Sequence, residues 1–134
     1  MKIAVIAART LLGLGFLIFG LNILHPFLPQ PSFPENSLEF QFMHVMGPTH
    51  WMALVGLFQV FGGIFLLAGR TAPLGLALLA PVLVNILAFH LFIQQGADIA
   101  PGLVVSGLEL FLLYAYRSYF RGIFTTSATP IFSK

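Results

Sequence analysis

The stretch from 51 to 95, WMALVGLFQVFGGIFLLAGRTAPLGLALLAPVLVNILAFHLFIQQ, decides the fold. It holds one charged residue, Arg70, and that arginine sits in a Gly69-Arg70-Thr71-Ala72-Pro73 turn between two apolar runs. A membrane-crossing helix needs about 20 mostly apolar residues, so the runs 51–69 and 74–95 read as two spans folded into an antiparallel hairpin. Working outward, 3–24 and 103–120 are two more runs of the same kind. The fold expected is therefore an all-α membrane protein, a bundle of four antiparallel transmembrane helices. It forms a single domain over 1–121 with a short tail, 122–134.

Composition agrees. Of 134 residues, 58% are hydrophobic and 7% charged, with no cysteine, and the mean hydropathy is +0.96. A soluble domain carries about a quarter charged residues, so this surface belongs in lipid. The six Lys and Arg residues form no cluster, which excludes a nucleic-acid binder. Without cysteine the chain runs no dithiol chemistry and holds no thiolate-ligated metal. The first run is read as a retained span, because Arg9 interrupts it and no small-residue cleavage site follows.

Charge placement orients the spans. Lys2, Arg70, Arg117, Arg121 and Lys134 fall at one end, and Glu35, Glu39 and Asp98 at the other. The positive-inside rule counts the basic residues and puts both termini in the cytoplasm. Trp51, Tyr114, Tyr116 and Tyr119 suit the interfacial aromatic belts. The long outer loop, 25–50, carries Pro26, Pro29, Pro31, Pro34 and Pro48, so its early part is extended. Asn36 with Glu39 three residues on is a capping-box pattern. It predicts a short helix over 37–46 with Phe40, Phe42, Met43 and Met46 on its apolar face.

Two charges lie within spans, Arg9 and Glu109. Each costs about 2.5–3.5 kcal/mol at a helix centre, which favours pairing. Arg9 shares a face with Gly13, Phe16 and Gly20, and Glu109 with Gly102, Ser106 and Tyr116. The expected arrangement is an Arg9–Glu109 ion pair that closes spans one and four; the alternative is a proton relay, or an anionic headgroup site at Arg9. Toward the other face lie Asn22, Asn85 and His90, the candidate cofactor-binding residues. A neutral imidazole at His90 can ligate a haem or a (bacterio)chlorophyll or hydrogen-bond a quinone, or simply bond a neighbouring helix. His25 and His50 flank the loop and could approach it. No H-x-x-x-H or E-x-x-H spacing supports a metal site. Gln59, facing Gly62 and Gly63, reads as interhelical glue. No nucleophile–base pair or pair of carboxylates is present, so no catalytic residue is assigned.

These features resemble the DoxX-like family of small four-helix bacterial membrane proteins. The pieces that match are Arg9-Thr10-Leu11-Leu12-Gly13 with Gly20 and Asn22, Leu54-Val55-Gly56-Leu57 through Gly62-Gly63, and Ala80-Pro81, Asn85 and Phe89-His90-Leu91-Phe92. They extend over about 8–121. Two positions depart: members often have an acidic residue where this chain has Gln59, and a lysine where it has Asn22. The resemblance implies a multi-pass protein of the bacterial inner membrane. It also implies a membrane subunit associated with quinone-linked oxidoreductases or with thiol-stress complexes. The small extramembrane mass and the lack of a catalytic constellation add the expectation of an accessory or anchoring component of a quinone-linked, respiratory or photosynthetic redox complex, not catalytic by itself. The alternatives are a stand-alone quinone-, haem- or pigment-binding protein with its ligand near His90, and a small transporter.

Overall fold

A computed structural model describes residues 1–131; Lys134, counted above among the basic residues, lies outside the described residues. Six α-helices follow one another: α1 Lys2–Leu24, α2 Leu38–Met46, α3 Trp51–Ala68, α4 Ala72–Ala88, α5 Ile99–Ala115 and α6 Arg117–Phe120. A π-helical turn, Phe89–Ile93, prolongs α4, and a 3-10 turn, Arg121–Phe124, prolongs α6. No strand occurs among the described residues. Three helices, Lys2–Leu24, Trp51–Ala68 and Ala72–Ile93, are each long and apolar enough to cross a membrane. A fourth crossing takes α5 together with the segment after it, across a bend of 77°.

The four long helices form a ring in which α1 packs on α3, α3 on α4, α4 on α5 and α5 back on α1. In lipid no hydrophobic force draws helices together, and close backbone approach at small residues does that work. The α1–α3 seam is built that way. A Cβ on Gly13 would come 3.1 Å from the carbonyl oxygen of Gly63, and one on Gly63 would come 2.7 Å from that of Gly13. One turn-pair along, Gly20 and Gly56 meet in the same reciprocal fashion, at 2.9 and 3.1 Å. On its other side α3 presents Gly62, whose bare face receives Leu79 of α4. Leu66, Leu76, Leu79 and Leu112 are fully buried, whereas Ile3, Val84, Phe92 and Leu110 stay exposed, as a lipid solvent allows.

The turn between α3 and α4 is as tight as expected. Gly69 takes a positive φ of 77°, and the Thr71 hydroxyl donates back to the Phe65 carbonyl at 2.9 Å. Inside α4, Pro81 removes one backbone donor. The Asn85 amide donates to the Pro81 carbonyl at 2.9 Å, so its partner lies on its own helix and not on a neighbour.

Two expectations shift. The short loop helix forms as Leu38–Met46, but its cap is Ser37, whose hydroxyl accepts from the Phe40 N–H at 3.1 Å; Asn36 stands one residue too early. The fourth run begins at Ile99 and stops at Ala115, not 103–120. Asp98, at φ 52°, starts it, and Pro101 fits a first turn, where no N–H is needed. At the far end the Arg117 side chain folds back, donating to the Tyr114 carbonyl at 2.9 Å while its guanidinium lies 4.4 Å above the Tyr114 ring. That bond satisfies one of the carbonyls a terminating helix leaves open and marks the bend.

The seam makes a stability prediction. Gly63→Leu overfills a backbone contact and should cost about 1–3 kcal/mol or more, seen as a lower melting temperature in mild detergent. Gly107 has nothing within 4 Å of a new Cβ. Gly107→Ala should therefore leave the melting temperature unchanged or raise it, since alanine favours helix by about 1 kcal/mol.

Candidate functional site

The ring does not close evenly along its length. At the end where α1 begins, Arg9 of α1 reaches Tyr116 beside α5, its Nη1 donating to the phenol oxygen at 3.4 Å. Toward the α2 end the helices part around a cavity of about 970 Å³. One stripe of α1, with Leu11, Gly15 and Phe19, faces one stripe of α5, with Gly102, Val105 and Leu108. From α2, Phe42, Met43 and Met46 cover the top, and Phe42 packs against Phe89 at 5.2 Å between ring centroids. Phe40, assigned to the same face, instead stacks on His44 at 5.6 Å.

Four polar side chains line this apolar space: Asn22, Gln59, Asn85 and His90. Their states differ. The Asn22 carbonyl oxygen accepts from the backbone N–H groups of Phe27 and Leu28, at 2.9 and 2.8 Å, and holds the chain as it leaves α1. The Asn85 amide nitrogen is spent on Pro81. His90 and Gln59 are not so occupied. His90 sits in the π turn, with its Nδ1 buried and unpartnered. Gln59 is 5% exposed, and its buried Oε1 has no partner either. Reading Gln59 as glue between helices missed this. Its signal in the sequence was a lone amide in a run otherwise free of polar side chains.

From the contact of Gly62 with Leu79, Gln59 lies level with Val82. His90 is then about 12 Å further toward the α2 end, at 1.5 Å per residue. The π turn matters to that placement. Its Gln94 N–H reaches back five residues to the Phe89 carbonyl, and such turns widen a helix and often occur at functional sites. His25, His50 and His90 do not come together as a metal site among the described residues.

Arg9 and Glu109 are not joined by an ion pair in this structure. Arg9 is half-buried, and its guanidinium rests against Gly69, where a Cβ would lie 2.5 Å from Nη1. Its counter-charge is thus the negative end of the α3 dipole, together with the Tyr116 hydroxyl. Glu109 lies seven residues from Tyr116, about 10 Å along α5 from the level of Arg9. Counting depth from Arg117 placed the carboxylate level with Arg9, because that count set Arg117 beside Lys2, whereas its neighbour Tyr116 lies beside Arg9. Glu109 is 3% exposed, and both its oxygens lack a partner.

With the ring and its cavity in view, the class is an all-helical protein of three to four membrane-spanning helices. The DoxX family model matches residues 4–91, well over half of the chain, and the protein belongs to that family. The match runs from α1 through His90 into the π turn; α5, with Glu109, lies beyond it. Neither a curated protein nor a solved structure matches the chain.

Because Glu109 has no partner to lose, Glu109→Gln should not destabilise the protein and should raise its melting temperature in detergent. Arg9→Gln should lower it, and the two changes should add within about 0.5 kcal/mol, as independent sites do. A coupling well above that value would restore the ion pair.

Proposed function

We propose that this DoxX-family protein holds an isoprenoid quinone in its helix cavity and serves as the membrane subunit of a larger redox complex. The observation that carries the reading is the cavity itself. Its volume of about 970 Å³ is at the upper end of small-ligand sites, its walls are largely phenylalanine and aliphatic, and unspent polar atoms of His90 and Gln59 meet it. A quinone needs an apolar slot for its ring and chain and one or two donors for its carbonyls. The His90 ring N–H and the Gln59 side-chain NH2 are donors of that type. The unpartnered Gln59 Oε1 is an acceptor, which only the hydroxyl of a reduced quinol can meet. When bound, the quinone supplies two-electron, two-proton carrier chemistry. The chain supplies an aromatic roof at Phe42 and Phe89, a donor at His90 and a lateral opening between α1 and α5 for the isoprenoid tail.

The orientation proposed puts Lys2, Arg70, Arg117 and Arg121 on the cytoplasmic side of a bacterial inner membrane, by the positive-inside rule. The cavity then opens in the outer half of the bilayer. The accessory role rests on how little of the chain stands outside the spans and on the absence of a catalytic constellation among the described residues. A second reading, a haem or chlorin held by His90, draws on the unpartnered Nδ1. It is weaker, since a metal-bound histidine ordinarily donates its other ring nitrogen to a fixed partner.

The test is solvent extraction and mass spectrometry of protein purified in mild detergent, with an absorption spectrum taken first. Stoichiometric quinone and a colourless protein are expected. His90→Leu and Gln59→Leu should each lower quinone recovery about 5–10-fold, the value of one hydrogen bond of about 1–1.5 kcal/mol. Asn85→Ala should leave it unchanged. A haem or chlorin band would favour the second reading, and an empty, colourless protein would sink both. Co-purifying redox subunits would support the complex.

A further inference from the structure

The segment after α5 turns away from the bundle by 77° and carries two arginines, Arg117 and Arg121. Between it and the last turns of α5 lies a second cavity, of about 430 Å³. It is lined by Leu113, Arg117, Phe120, Arg121, Ile123 and Phe124. Arg117 is fixed by the Tyr114 carbonyl and ring, so its charge is held in place at the crook of the bend. Arg121 is exposed, and its side chain makes no hydrogen bond or ion pair among the described residues. Ile123 and Phe124 are 71% and 82% exposed, on a segment leaving a lipid-solvated helix. The combination is two guanidinium groups at the mouth of an apolar crevice.

No Asp or Glu side chain among the described residues answers these charges. Glu35, Glu39 and Asp98 lie at the opposite end of the ring, and Glu109 is buried in α5. The basic end, with Lys2 and Arg70 as well, is thus without an acidic neighbour among the described residues. These guanidinium groups are thus open to an ion of opposite sign from outside the chain. Planar guanidinium forks match phosphate oxygens in geometry as well as charge. The apolar wall behind them suits an acyl chain lying along Leu113 and Phe120.

We infer that the crook between α5 and the segment Arg117–Phe124 binds one anionic phospholipid, its phosphate between Arg117 and Arg121 and an acyl chain in the crevice. The bend places the guanidinium groups where headgroups are, and Ile123 and Phe124 enter the acyl boundary beside them. This site is at the opposite end of the ring from the quinone cavity, and it stands or falls independently of that ligand.

The experiment is native mass spectrometry of the full chain released from mild detergent, with phosphatidylglycerol or phosphatidylcholine added at equal concentration. One phosphatidylglycerol should be retained in preference to phosphatidylcholine. Arg121→Gln should lower its retention about fivefold, the worth of one basic residue near a charged surface, with an unchanged melting temperature. Arg70→Gln, at the same end but outside the crook, should leave retention as it was. Equal retention of the two lipids overturns the proposal. So does an Arg70→Gln loss as large as that of Arg121→Gln, which would mark a diffuse field. Displacement of the lipid by millimolar inorganic phosphate would also overturn it, assigning the crook to a free anion.

Discussion

The structure depends on one seam, where the backbones of α1 and α3 touch through Gly13 against Gly63 and Gly20 against Gly56. In water a four-helix bundle is held by burying apolar side chains, but in lipid those side chains are equally well solvated outside. What remains is packing, and the four glycines bring two helices close enough for carbonyl oxygens to meet Cα positions. Gly62 extends the same logic to α4 through Leu79. Three helices are thereby fixed as a unit. The fourth is attached more sparingly, at Arg9–Tyr116 near one end and where Gly102 passes His90 near the other. The space left between α1 and α5 is the cavity. The candidate site is therefore a consequence of where glycine is concentrated and where it is not.

Much of this was legible in the sequence, because the signals were long and redundant. The runs 3–24, 51–69 and 74–95 each contain enough apolar residues to fix a helix whatever its neighbours do. The glycines of the α1 and α3 faces likewise announce a close contact. What was not legible depended on a single residue or on relative height. Asn36 and Ser37 both suit a cap, and only the direction of the chain leaving Pro34 decides between them. The end of α5 turned on Arg117 folding back to Tyr114, a contact that composition does not display. The end of α5 also lies beside Arg9 and not beside Lys2, which displaced the depth assigned to Glu109 and with it the expected pairing to Arg9. Arg9 met the end of α3 instead, a partner with no charged side chain to be seen in the sequence.

Polar groups in this bundle fall into two kinds. Asn85 spends its amide on the Pro81 carbonyl one turn back in its own helix. Thr71 and Arg117 each bond a carbonyl that a helix end has left open, and Asn22 accepts from the chain leaving α1. They repair the fold. Gln59, His90 and Glu109 lie where the backbone needs no repair and keep unpartnered atoms. In a medium without water an unsatisfied polar group is costly, by about 1–3 kcal/mol even when neutral. The second kind is thus where stability has been given up, and Gln59 and His90 share one cavity.

The bend at Tyr116 has a consequence for the bilayer itself. With 17 residues at 1.5 Å each, α5 reaches about 26 Å, against a typical hydrocarbon thickness of about 30 Å. The α1 helix, with 23 residues, is about a third longer. The α3 helix, with 18 residues, reaches about 27 Å, so both α3 and α5 are shorter than the membrane that surrounds them, and lipid beside α5 must thin or tilt to meet the tyrosines and arginines at its end. The mismatch costs least in a thin bilayer or against a neighbouring protein whose own span is short.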